Sequence, residues 1–145
     1  MRRNISLERK ILEFLHSWLR PIRVGDLKTE LTKEGIDIPH SSLNSVIQRL
    51  EKEGLLTWEK YGPVALTEKG KRKAAHNQRH FHLFSMFLVQ TLDISIEQAK
   101  KESYHISGAL SCELIDAINE ALNNPEICVC SDSIPQVAEC STHYH

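Results

Sequence analysis

His40-Ser41-Ser42-Leu43-Asn44-Ser45-Val46-Ile47-Gln48-Arg49-Leu50, followed by Glu51-Lys52-Glu53-Gly54-Leu55-Leu56, decides the fold. Leu43, Val46, Ile47 and Leu50 recur at the spacing that lines one side of a helix. The other side carries His40, Ser41, Ser42, Asn44, Ser45, Gln48 and Arg49, all hydrogen-bonding groups. Ser41 or Ser42 is the expected N-cap. Gly54 suits the residue just past the end, where backbone with positive φ is common.

The pattern on either side places this helix third in a series. Ser6 is an expected cap for a first helix with Leu7, Ile11, Phe14, Leu15 and Trp18 inward, ended by Pro21. A short second helix starts near Val24, buries Leu27 and Leu31, and closes at Gly35. After Gly54 the period changes, and Leu55 to Thr67 reads as two short strands about a Tyr61-Gly62-Pro63 turn. Thr67 caps a long helix from Glu68 to about Leu92. Ser95 with Gln98 makes a capping box for a helix to about Tyr104. Ser111 starts a last helix with Leu114, Ile115, Ile118 and Leu122 on one side. The expected class is mainly α with a small β-hairpin wing. Expected divisions are 1–67 for a winged helix-turn-helix, 68–124 for a helical dimerisation domain, and 125–145 for a Cys-rich tail.

Charge divides the same way. Residues 1–80 carry 16 Lys/Arg against 10 Asp/Glu, whereas 81–145 carry 2 against 9. A basic half suits a polyanion. In a winged helix-turn-helix the third helix enters the major groove and the wing follows the backbone. Ser41, Ser42, Asn44, Ser45 and Gln48 are therefore the candidates for base edges and nearby phosphates. Arg49, Lys60, Lys71 and Arg72 are the candidates for phosphates.

Other classes lose ground. No apolar run reaches the roughly 18 residues of a membrane helix. Charges interrupt the opening MRRNISLERK, so it has no secretory core, and a cytoplasmic location is expected. There is no Gly-rich phosphate loop. Glu97, Glu102 and Glu113 read as solvated carboxylates, and Cys112 has no sequence-adjacent base, so no enzyme is expected.

The stretches IRVGDLKTEL, HSSLNSVIQRLEKEGLLTWEKYGPVALTEKG, RHFHLFSMFL, EQAKKESYHISGALSCELIDAI and NPEICVCSDSIP together resemble the diphtheria toxin repressor family of iron- and manganese-dependent repressors (DtxR/MntR-like). The resemblance runs from about Leu7 to Pro135. It implies a homodimer, through residues from about 68 onward, that represses at a palindromic operator in double-stranded DNA. It also implies where a metal ligand set would fall. The family's linker-helix His position holds Phe81, flanked by His80 and His82. Its Cys/Glu, Glu and His positions in the next helix hold Tyr104, Ser107 and Gly108. Its first-helix positions fall near Leu7 and Lys10. The family's oxygen and nitrogen donors for iron or manganese are largely replaced.

Sulfur is concentrated elsewhere. Cys128 matches a Cys that the family often has. Cys130 and Cys140 follow it, with His143 three residues beyond Cys140. Cys112 is expected to fold back toward them. Thiolates suit an iron–sulfur cluster, or a zinc or iron ion. The favoured expectation is therefore a regulator sensing iron–sulfur, iron or redox status through Cys112, Cys128, Cys130, Cys140 and His143. Two alternatives stand beside it: a constitutive repressor with structural zinc, and a winged-helix interaction module that does not bind DNA. His80, His82 and His105 are expected to be hydrogen-bonded or exposed before they are ligands.

Overall fold

The computed structural model describes residues 5–59, 62–128 and 134–135. The chain divides into two compact units, Met1–Ala74 and Ala75–His145.

In the first unit, α1 spans Ile5–Trp18. Ser6 lies inside it, so the helix starts earlier than its expected cap. Leu7, Ile11, Leu12 and Leu15 are buried, with Phe14 and Trp18 packed against them. Ile22–Arg23 forms a short strand, β1, that the sequence reading missed. α2 follows at once as Val24–Lys33, burying Val24, Leu27 and Leu31. α3 spans His40–Lys52 and buries Leu43, Val46, Ile47 and Leu50. Its N-cap is Pro39, without a side-chain cap bond, so the expected Ser41 or Ser42 cap is corrected. Proline supplies the fixed φ and needs no donor at that end. Ser45 Oγ instead donates to Ser41 O at 3.0 Å within the helix. Gly54, at φ 78°, reverses the chain, and Leu55 N–H reaches back to Leu50 O at 3.0 Å.

Strands β2, Leu56–Trp58, and β3, Pro63–Leu66, form the hairpin, with Leu56 opposite Leu66 and Trp58 opposite Val64. β1 adds to the far edge of β3 through Ile22 opposite Val64, giving an antiparallel sheet in the order β1-β3-β2. Each fully buried Leu or Ile in this core contributes roughly 1.5–3 kcal/mol of transfer free energy.

Helix α4, Glu68–Leu92, begins in the first unit and continues into the second. Thr67 is its cap, as expected: Gly70 N–H donates to Thr67 Oγ1 at 3.0 Å, and that hydroxyl donates to Gly54 O at 2.6 Å. A Cβ on Gly70 would overlap the Leu55 carbonyl, so this turn requires a residue without one.

The second unit adds α5, Ile96–Ile106, a 3-10 turn at Ser107–Ala109, and α6, Cys112–Ala121. Ser95 caps α5 by accepting from Gln98 N–H at 3.1 Å. Ser111 caps α6 by accepting from Leu114 N–H at 3.1 Å. α5 runs two residues past Tyr104. Leu114, expected inside, is exposed; the buried stripe of α6 is Cys112, Ile115 and Ile118. These pack with Leu83, Phe84, Met86, Leu88, Ala99, Cys128 and Ile134, except Cys112, whose neighbours are polar. Among the described residues no helix is long and apolar enough to cross a membrane.

Candidate metal centre and nucleic-acid face

α4 places His76 and His80 one turn apart, so both project from the same face. The Ser111 cap fixes the start of α6 and with it Cys112, the first helical residue. The three meet. His76 Nε2 lies 3.1 Å from Cys112 Sγ, and His80 Nε2 lies 3.7 Å from it. The two imidazoles are 4.1 Å apart between ring centres and tilted by 39°. One ligand atom from each residue falls within 4.8 Å of the other two, and all three residues are buried.

Metal ligation has a known geometry against which this can be judged. Zinc bonds of about 2.0–2.1 Å to imidazole and about 2.3 Å to thiolate, at a tetrahedral angle, separate N from S by roughly 3.6 Å. The sulfur-to-nitrogen distances of 3.1 and 3.7 Å differ from that by about 0.5 Å or less, a rotamer-scale adjustment. The shorter contact uses one proton, between sulfur and imidazole, and a cation bound by both replaces that proton. Three protein donors leave a fourth position for water or another ligand.

Neighbouring side chains have other commitments. Arg79 Nη1 pairs with Asp116 Oδ1 at 3.1 Å, joining α4 and α6 beside the trio. His82 Nε2 meets Gln78 Oε1 at 3.1 Å, and His105 is exposed. Ser85 Oγ lies 2.8 Å from Phe81 O and 2.9 Å from Ser103 Oγ. A hydroxyl has one proton; when Ser85 gives it to Phe81 O, Ser103 donates to Ser85.

The expected sulfur site is only partly represented. Cys130, Cys140 and His143 lie outside the described residues. Cys112 does not pair with Cys128 in a ligand set; its companions are His76 and His80. Cys128 is buried in the apolar core, its Sγ 4.0 Å from the His82 carbonyl. The sequence reading singled out His80 but not His76. The available signal was the four-residue interval between them, which is the spacing of a helical chelate.

At the positions where the resemblance puts the family's ligands, Phe81 and Tyr104 are half-buried, Ser107 is buried and Gly108 is exposed. Leu7 is part of the core of the first unit, and Lys10 Nζ pairs with Glu34 Oε2 at 2.7 Å. An aromatic ring, a phenol, a hydroxyl, a lysine and a glycine do not make an iron or manganese site.

The described residues expected to face nucleic acid lie in the first unit. Ser41, Ser45 and Gln48 are exposed on α3, while Ser42 and Asn44 are half-buried. Asn44 and Gln48 line an open cleft of about 770 Å³ with Arg23, His40, Trp58 and Gly62. Arg49 Nη1 is 3.8 Å from Glu8 Oε1, so this guanidinium is directed toward α1. Lys71 and Arg72 are exposed in the first turns of α4, Lys71 Nζ lying 3.2 Å from Glu68 Oε1. Lys60 lies outside the described residues.

The fold is a winged helix-turn-helix followed by a second helical unit. A family model for the iron dependent repressor, metal binding and dimerisation domain, matches residues 67–136. An uncharacterised HTH-type transcriptional regulator of Methanocaldococcus jannaschii is 30% identical over 109 residues, 75% of this chain and 83% of that protein. The HTH-type transcriptional regulator MntR of Lysinibacillus sphaericus is 29% identical over 109 residues, 72% of this chain and 74% of its own. The chain belongs to the DtxR/MntR family of metal-dependent transcriptional regulators. Solved structures agree on the fold. The hypothetical protein SSo2273 from Sulfolobus solfataricus superposes with a TM-score of 0.75 at 20% identity, covering 94% of this chain and 100% of that one. The manganese regulator SloR gives 0.76 at 21% identity, covering 94% and 61%. Repressors of this family bind operator DNA as dimers, and the matched relatives are transcriptional regulators rather than enzymes.

Proposed function

We propose that this chain is an operator-binding repressor whose effector is a metal ion held by His76, His80 and Cys112. The observation that carries the reading is the convergence of two imidazole nitrogens and one thiol sulfur, all buried, in the unit matched by the metal-binding domain. Ser41, Ser42, Asn44, Ser45 and Gln48 read base edges and nearby phosphates, while Lys60, Lys71 and Arg72 neutralise phosphates. Arg49 serves the same face less directly, because its Glu8 contact holds it toward α1. The expected iron–sulfur or redox sensing would require Cys128, Cys130 and Cys140 to act together; the described contacts support the mononuclear trio instead.

One helix, α4, contributes Lys71 and Arg72 to the DNA face and His76 and His80 to the trio. An effector alters operator affinity only as far as it binds the DNA-competent and incompetent states unequally. ScaR is described as a manganese-activated repressor; on that pattern, the loaded form of this chain binds DNA more tightly. The test uses a duplex selected from a random library with zinc-loaded protein. Fluorescence anisotropy should show affinity falling about tenfold or more on chelation, within the usual range of allosteric coupling. His80→Gln should remove most of that difference. Equal affinity of loaded and stripped wild type would overturn the reading.

A further inference from the structure

We infer that the trio selects a thiophilic, four-coordinate ion of the zinc class and discriminates against manganese. The inference rests on the proposal that His76, His80 and Cys112 bind the effector, and it names the ion class that they accept.

Donor chemistry gives the first argument. Cys112 supplies a thiolate and the two histidines supply borderline nitrogens. Manganese favours carboxylate, carbonyl and water oxygens, and lies at the weak end of the affinity order for divalent first-row ions. Among the described residues no Asp or Glu oxygen joins the trio. Asp116, one turn along α6 from Cys112, is engaged by Arg79 at 3.1 Å. The positions through which the resemblance would recruit further donors hold Phe81, Tyr104, Ser107 and Gly108.

Geometry gives the second. The sulfur lies 3.1 and 3.7 Å from the two nitrogens, close to the roughly 3.6 Å of a tetrahedral zinc site. An octahedral ion would need three more donors in a place where all three side chains are buried. The M. jannaschii and L. sphaericus relatives match this chain over most of its length. On that shared scaffold, the donor set of this chain decides the metal to which it answers.

The test uses the full-length chain, stripped by chelator and titrated with Co(II) as a spectroscopic probe. The expected result is a sulfur-to-cobalt charge-transfer band with the intense visible bands of tetrahedral cobalt. One equivalent of Zn(II) should abolish them, and a roughly hundredfold excess of Mn(II) should leave them intact. Cys112→Ser should lose the charge-transfer band, whereas Cys128→Ser keeps it. If Mn(II) displaces cobalt at comparable concentration, the selectivity claim falls while the site stands. If the band never forms, or survives Cys112→Ser, the site itself falls. Should Cys112→Ser not fold, His76→Gln and His80→Gln replace it: each should weaken zinc by about a hundredfold or more, and unchanged affinity in both would reject the site.

Discussion

Replacing Gly70 by Ala tests the join between the wing and the start of α4. A Cβ there would overlap the Leu55 carbonyl and lie 3.0 Å from Leu66 Cδ2. The obstacle is backbone, which cannot swing aside as a side chain could. Relief requires moving the first turn of α4 or the chain at Leu55, with overpacking of about 1–3 kcal/mol. That movement also strains the Thr67 hydroxyl, which bridges Gly70 N–H and Gly54 O; a lost cap costs about 1 kcal/mol. Alanine returns about 1 kcal/mol through its better helix propensity. The net destabilisation is about 1–3 kcal/mol, or roughly 5–20 °C in Tm for a unit of this size. Both tryptophans, Trp18 and Trp58, belong to the first unit, so fluorescence-detected thermal unfolding reads it selectively. Gly25→Ala is the matched comparison. A Cβ at Gly25 would meet no atom within 4 Å, and the residue's φ is not positive. It should stabilise by about 0.5–1 kcal/mol. A Gly70→Ala protein as stable as wild type, or the same sign for both substitutions, would refute the packing argument.

Other expected outcomes follow from separate contacts. Lys71→Ala with Arg72→Ala should weaken binding to every duplex and reduce the salt slope by about two, near 0.9 per phosphate contact; an unchanged slope in anisotropy titrations would remove both from the phosphate set. Gln48→Ala should relax discrimination at one base position by about 1–3 kcal/mol, measured by competition among single-substituted duplexes, with uniform losses contradicting a base contact. Ser85→Ala should destabilise by about 1–3 kcal/mol because Ser103 Oγ stays buried and loses its acceptor. Adding Ser103→Ala should recover part of that loss in urea unfolding; strict additivity would mean that the two hydroxyls do not interact.

The helices were readable because their apolar residues repeat over several turns. Leu43, Val46, Ile47 and Leu50 supply such a repeat, and all four are buried. β1 was not readable, because Ile22–Arg23 is too short to show a period and forms only by pairing with Val64 and Pro63. The α3 boundary was misplaced because serine is the stronger cap by preference, whereas Pro39 fixes the turn through its own φ of −58°. Leu114 was expected inside and is exposed for a related reason. Position on α6 decides burial, and the stripe falls on Cys112, Ile115 and Ile118. The metal trio needed tertiary structure. His76 and His80 show helical spacing in the sequence, but their sulfur partner lies 36 and 32 residues away. The pairing is created when α6 packs against α4, which no local pattern encodes.

Zinc K-edge absorption on the zinc-loaded full-length chain tests the central claim most directly. The trio predicts one or two sulfurs at about 2.3 Å, Cys112 among them, and at least two imidazole nitrogens at about 2.0–2.1 Å. A shell of three or more sulfurs would transfer the ion to the cysteines of the tail, and a shell with no sulfur would remove Cys112 from the site.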